Sequence, residues 1–168
     1  MKKIAVLLEN LFDEQEVIYP YHRLREDYEV VLVGTEGEKK YKSKSDFKLE
    51  SHIGSNEVNP DEFAGVFIPG GFSPDYMRSS EDTVNFVKKL NEAKKPVAAI
   101  CHGGWMLAEA DIINGKTVTS TGTIKTDLKN AGANWVDEEV VVDENIITGR
   151  NPNDLPAVVK AFVEMIEK

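Results

Sequence analysis

The run Val97-Ala-Ala-Ile100, followed at once by Cys101-His-Gly-Gly104 and then Trp105-Met-Leu-Ala-Glu-Ala110, leaves little freedom of architecture. Four consecutive apolar residues suit a strand buried on both faces, as in a parallel sheet. Trp105, Met106, Leu107 and Ala110 suit the inner stripe of a helix that covers it. Cys101, the only cysteine, therefore falls at a strand-to-helix turn. Such a turn presents a side chain at the carboxyl edge of a sheet, against the unpaired N–H groups and positive end of the next helix. That setting is expected to favour a thiolate over a thiol. The competing reading is a buried structural cysteine, and a neighbouring base and an oxyanion site would decide between them.

Upstream, Ile4-Ala-Val-Leu-Leu8 is a continuous apolar run that ends at Glu9-Asn10 and reads as the first central strand. Asp13 is placed to cap a helix carrying Val17, Ile18, Tyr21 and Leu24 at the helical period, with Glu14 and Glu16 near its positive end. Pro20 lies inside that helix and cannot donate to the Glu16 carbonyl, so a bend is expected there. Tyr28 to Val33 gives a second strand, and Ala64 to Ile68 another, closed by Pro69-Gly70-Gly71. A strand that ends in paired glycines leaves backbone N–H groups uncovered, able to face a developing negative charge. Between these strands the lysine-rich stretch from Thr35 to Asn59 reads as a small edge hairpin plus loop.

Ser73-Pro74 opens a short helix, and Ser79 or Ser80 caps a longer one with Val84, Phe86, Val87 and Leu90 inward. Beyond the cysteine helix, Thr117 to Ser120, Trp135-Val136, Val140 to Val142 and Ile146 to Thr148 read as strands, and Ile124 to Ala131 as a short helix. Asp154 starts an amphipathic last helix whose stripe is Leu155, Val158, Val159, Phe162, Val163 and Ile166. Strands and helices alternate through most of the chain. The expected fold is a doubly wound α/β, flavodoxin-like sandwich: a mostly parallel sheet with helices on both faces.

Size and charge narrow the function. At 168 residues the chain is expected to form a single domain over residues 1–168. A single cysteine allows no internal disulfide and no cysteine-clustered metal site, in keeping with a reducing compartment. The net charge of −9 argues against nucleic acid as a partner, because phosphate-backbone binding needs a basic face. No run approaches the length of a membrane span and no signal peptide is evident, so a cytoplasmic protein without a membrane partner is expected.

Taken as an ordered set, Tyr19-Pro-Tyr-His22, Pro69-Gly-Gly71, Ala99-Ile-Cys-His-Gly-Gly104 and Gly132-Ala-Asn-Trp-Val-Asp137 resemble the PfpI-type intracellular protease family. That family lies in the superfamily of Parkinsonism-associated deglycases, with the class I glutamine amidotransferase-like fold, and the resemblance covers essentially the whole chain. It implies a nucleophile elbow at Cys101, with His102 as the neighbouring histidine and Glu16 as the carboxyl group that hydrogen-bonds the thiol. It implies an oxyanion and binding site built from Gly71 and the His102 N–H, flanked by Gly70 and Gly103. It also implies a homodimer or higher homo-oligomer, with Asp75 near the interface where the family tends to place a glutamate that orients the histidine across subunits.

Three positions depart from the family's common pattern. Asp75 is one methylene shorter than that glutamate, Trp105 replaces a frequent proline, and Thr121-Gly122 replaces a frequent Tyr-Pro, which should reshape the pocket. Consecutive side chains at a helix start diverge, so His102 is expected to need an outside partner rather than meet the sulfur directly.

Members of the family are cysteine peptidases, glyoxalases that turn methylglyoxal into lactate without a cofactor, and deglycases of early glycation adducts. The implied function is a cofactor-free cysteine hydrolase or lyase acting on small reactive carbonyls or glycated groups. Peptide cleavage ranks second, since an amide leaving group needs a well-placed acid. A glutamine amidotransferase would need a histidine downstream of the cysteine and its neighbour, and none follows His102. The alternative from a different class is a non-catalytic redox sensor, its thiol oxidised to a sulfinic acid, or a stress-response chaperone.

Overall fold

The computed structural model describes all 168 residues. In chain order the strands and helices are β1 (Lys3–Leu8), α1 (Glu14–Arg25), β2 (Glu29–Gly34), β3 (Lys40–Lys42), β4 (Lys48–Glu50), β5 (Ile53–Gly54), β6 (Gly65–Ile68), α2 (Ser73–Met77) and α3 (Glu81–Glu92). There follow β7 (Val97–Ile100), α4 (Gly104–Glu109), β8 (Thr117–Val118), α5 (Lys125–Asn130), β9 (Asn134–Trp135), β10 (Val140–Asp143), β11 (Ile146–Gly149) and α6 (Leu155–Ile166).

The main sheet runs β10-β11-β7-β6-β1-β2-β5, and only the β10–β11 pair is antiparallel. Its longer parallel strands, β2-β1-β6-β7-β11, follow the flavodoxin-like order expected from the alternating pattern. The order reverses between β1 and β6, and in such sheets the crevice beyond the carboxyl ends at that reversal is where ligands bind. The segments leaving β1, β6 and β7 at that edge carry Asp13, Gly70–Gly71 and Cys101.

Alternation along each strand divides the core in two. Ile4, Val6 and Leu8, with Phe67, Ala98 and Ile100, pack against Val17 and Leu24 of α1 and Leu155, Val158, Val159 and Phe162 of α6. Ala5 and Leu7, with Val66, Ile68, Val97 and Ala99, pack against Val87 and Leu90 of α3, Met106 and Leu107 of α4 and Leu128 of α5. These strands are apolar throughout because both faces are covered.

Local chemistry accounts for the element boundaries. Asp13 caps α1 by accepting from the N–H groups of Gln15 and Glu16, and Ser80 caps α3 through the Thr83 N–H. Pro20 is buried within α1, which continues to Arg25 as one element. The lysine-rich stretch differs from the edge hairpin read from sequence: β3 and β4 form a hairpin in a two-stranded sheet of their own, and β5 supplies the edge of the main sheet. Thr117 to Ser120 gives only a two-residue strand, paired with β9 away from the main sheet. No helix is long and apolar enough to cross a membrane.

Candidate active site

Cys101 follows β7 directly and takes a backbone φ of 59°, the left-handed region that a β-substituted residue seldom occupies. Such strain persists where the surroundings over-determine it, and here Gly103 shows how. A Cβ at Gly103 would sit 2.7 Å from the Ile68 carbonyl, so the turn lies tight against the end of β6 in a way only glycine permits. The sulfur is thereby aimed out of the sheet edge, half-buried rather than sealed.

Glu16 meets it from α1. Its side chain is 1% exposed, and Oε1 accepts the Gly70 N–H at 2.8 Å. Oε2 is buried with no hydrogen-bond partner, and the Cys101 thiol is among the groups beside this carboxyl. A Cβ at Gly70 would lie 2.6 Å from Glu16 Oε1 and 2.9 Å from the His102 nitrogen, so this glycine is the gap through which α1 reaches the elbow. Burial, reinforced by the charge of Asp13, raises the Glu16 carboxyl to about 8. At neutral pH it is therefore an acid with a proton to give.

The same burial corrects the expectation of a resting thiolate. Desolvation, followed by the negative charge of Glu16, pushes the Cys101 thiol up to about 12, against smaller help from the His102 N–H and the Thr121 hydroxyl. The Cys101–Glu16 pair titrates as a unit and holds its protons at neutral pH.

His102 also departs from expectation. Because Cys101 is left-handed, the side chains do not diverge: His102 Nδ1 stands 3.5 Å from the sulfur, and Nε2 stands 3.4 Å from Thr123 Oγ1. Burial, then the Lys44 ammonium, holds the imidazole below its ordinary value, so it is neutral at pH 7 and can accept a proton. Trp105 packs on it edge to face at 5.0 Å and touches Phe72 in turn at 6.2 Å. Asp75 lies half-buried in the first turn of α2, and no carboxylate is among the groups that set the charge of His102.

The oxyanion glycines are now separable. The Gly70 N–H is occupied by Glu16, whereas the Gly71 N–H makes no hydrogen bond within the chain. Gly71 has φ 68°, and a Cβ there would strike the Leu11 carbonyl at 2.5 Å. The His102 N–H faces the sulfur. Two charged groups were not singled out from the sequence as part of the site. In the sequence Asp13 is recognisable only as a cap, and Lys44 sits in a lysine-rich stretch with nothing to distinguish it from its neighbours, yet its ammonium is 3.0 Å from Asp13 Oδ2. A broad groove of about 790 Å³ between α1 and the start of α6, lined by Tyr19, His22, Pro152 and Leu155, contains neither Cys101, Glu16 nor His102.

Residues 2–165 match the model of the DJ-1/PfpI family. The chain is 41% identical to a protein of Thermococcus kodakarensis named Deglycase TK1284, over 98% of this chain and 99% of that one. It is 40% identical to a Bacillus subtilis protein named putative cysteine protease YraA, over 99% of both. Among solved structures, it superposes with TM-score 0.97 and 39% identity on a two-domain protein from Anabaena variabilis containing DJ-1/ThiJ/PfpI-like and ferritin-like domains, covering 99% of this chain and 48% of that one. Elbow, buried acid, flavodoxin-like strand order and relatives agree: the chain belongs to the DJ-1/PfpI family.

Proposed function

We propose that this protein is a cofactor-free cysteine enzyme that acts on small reactive carbonyls or glycated groups, with Cys101 as nucleophile and Glu16 as the acid and base. The observation that carries this reading is the buried, unpartnered Oε2 of Glu16 beside the left-handed Cys101. A carboxyl that merely favoured the dipole of α1 would stand in solvent, whereas this one is desolvated beside the Cys101 thiol. The deglycase and cysteine-protease names of the relatives point the same way.

With methylglyoxal the chemistry balances without a cofactor. The thiol proton passes to His102 Nδ1 as sulfur adds to the aldehyde carbon, and the new oxyanion is held by the N–H groups of Gly71 and His102 and then protonated. Ionised Glu16 removes the hydrogen from the former aldehyde carbon as the neighbouring ketone oxygen takes up a proton, giving an enediol; the acid form of Glu16 then returns a proton to that neighbouring carbon while the hydroxyl on the former aldehyde carbon gives up its own. The resulting lactoyl thioester is cleaved by water, giving lactate and restoring the thiol. A group with a carboxyl near 8 is populated in both forms close to neutrality, as a shuttle requires.

The elbow also accommodates an assembly. Asp75 stands on α2 beside the exposed aromatic rings of Phe72 and Tyr76, which are 44% and 43% exposed, and His102 lacks a carboxylate partner within its own chain. In this reading a second copy of the chain covers these rings and supplies its Asp75 to His102 across the interface. Lactate formation from methylglyoxal by wild type, Cys101→Ala, Glu16→Ala and His102→Ala tests the activity. Wild-type turnover lost in the first two variants supports it, and equal rates in all four would reduce it to bulk thiol or contaminant chemistry. Dilution through the dissociation of the assembly should abolish turnover if Asp75 acts in trans.

A further inference from the structure

The β3–β4 hairpin lies off the main sheet, yet it is bolted to the segment that supports the site. The Leu11 N–H donates to the Lys42 carbonyl at 2.7 Å and the Lys44 N–H to the Phe12 carbonyl at 3.0 Å, while Phe12 and Ser43 form a parallel bridge. Ser43 and Ser45 both donate their hydroxyls to Glu14, and the Ser45 N–H adds a third bond to it at 3.1 Å. From there Leu11 reaches the site directly, because its carbonyl accepts the Phe72 N–H at 2.9 Å and packs against Gly71. Three residues of loop are thus fixed by backbone, bridge and side-chain bonds. Their one cation, the half-exposed Lys44, pairs with Asp13 at 3.0 Å, and the other oxygen of Asp13 accepts the N–H of Glu16 at 3.3 Å.

We propose that Lys44 is a positioning residue of the site, its ammonium held by Asp13 and the hairpin so as to set the electrostatic balance of the Cys101–Glu16 pair. The inference rests on the reading of that pair as the reacting groups. The charged and titratable groups that face the pair are few. Asp13 comes from the cap of α1, Lys44 from the hairpin, and His102 from the elbow; the loop after β6 offers only the Gly70 N–H, and the segment after β8 only the Thr121 hydroxyl. Asp13 opposes loss of a proton from Glu16 and from Cys101, and Lys44, paired with Asp13, is the cation that favours it at Glu16. Without Lys44 the buried carboxylate of Asp13 would be left facing the pair uncompensated.

The test is the rate of Cys101 alkylation by iodoacetamide at neutral pH, measured on the full chain with Cys101→Ala as the blank. In Lys44→Gln alkylation should be about three- to fivefold slower than in wild type. Lys44→Arg, which keeps the charge, should stay within about twofold of wild type. Asp13→Asn, which keeps a good cap, should be alkylated faster. An unchanged rate in Lys44→Gln, the same slowing in Lys44→Arg, or changes of one sign in Lys44→Gln and Asp13→Asn would overturn the assignment. Alkylation needs no substrate, so absence of methylglyoxal turnover would sink the proposed activity without touching this result.

Discussion

Replacing Glu16 by glutamine should invert part of the protein's dependence of stability on pH. The carboxyl stands near 4.5 when solvated and is raised to about 8 in the fold by burial and Asp13. The folded state therefore binds a proton that the unfolded chain releases, and stability falls as pH rises from the first value through the second. At about 1.4 kcal/mol per unit the full window is worth about 5 kcal/mol, of which about 3 kcal/mol lies between pH 5 and pH 8. Glutamine keeps the shape and cannot ionise. Thermal melts followed by circular dichroism at both pH values should show wild type losing about 3 kcal/mol relative to Glu16→Gln, or about 6 to 12 °C in Tm for a chain of this size. His102, its imidazole held below the ordinary value by burial and Lys44, is present in both proteins and drops out of the difference, and the Cys101 thiol titrates above the window. Parallel pH profiles for the two proteins, within about 2 °C, would refute the argument that Glu16 is a desolvated acid.

Two further substitutions probe the close packing that brings the groups together. Gly70→Ala should lower kcat/KM at least about tenfold in the methylglyoxal assay, because the new methyl would occupy the space of Glu16 Oε1 and the His102 nitrogen, and the acid must move off the sulfur. Gly149→Ala should cost about 1 to 3 kcal/mol in denaturant unfolding, since its Cβ would meet Val158 at 2.4 Å and Ile100 at 2.9 Å between β11 and α6.

Where one physical pattern determined the structure, the chain was legible. Val97–Ile100, Ile4–Leu8 and Gly65–Ile68 are apolar without interruption because helices cover both faces, and that pattern admits few alternatives to a doubly wound sheet. The two-residue strands β5, β8 and β9 carry too few residues for any period, and the hairpin's separation from the main sheet depends on contacts with Leu11 and Phe12 that no local pattern announces. At the site, the elbow could be read from strand, glycines and helix, but the approach of Glu16 to Cys101 came from family resemblance, since 85 positions separate them in the chain. The charge state could not be read. Proximity to a helix start argues for a thiolate, and only the three-dimensional burial of the sulfur, with the Glu16 charge beside it, reverses that. Nor does sequence reveal that a cysteine will be left-handed, which is what turns His102 back toward the sulfur.

The central claim is that Cys101 adds to a carbonyl and Glu16 then moves the proton. It is tested most directly by acid-quenching the protein with methylglyoxal and mapping adducts by peptide mass spectrometry. The sulfur of Cys101 should carry the adduct in wild type transiently and in Glu16→Gln at higher occupancy, because addition needs the thiol whereas the next step needs the Glu16 carboxylate as a base. An adduct confined to lysines and arginines, with Cys101 unmodified in both proteins, would contradict it.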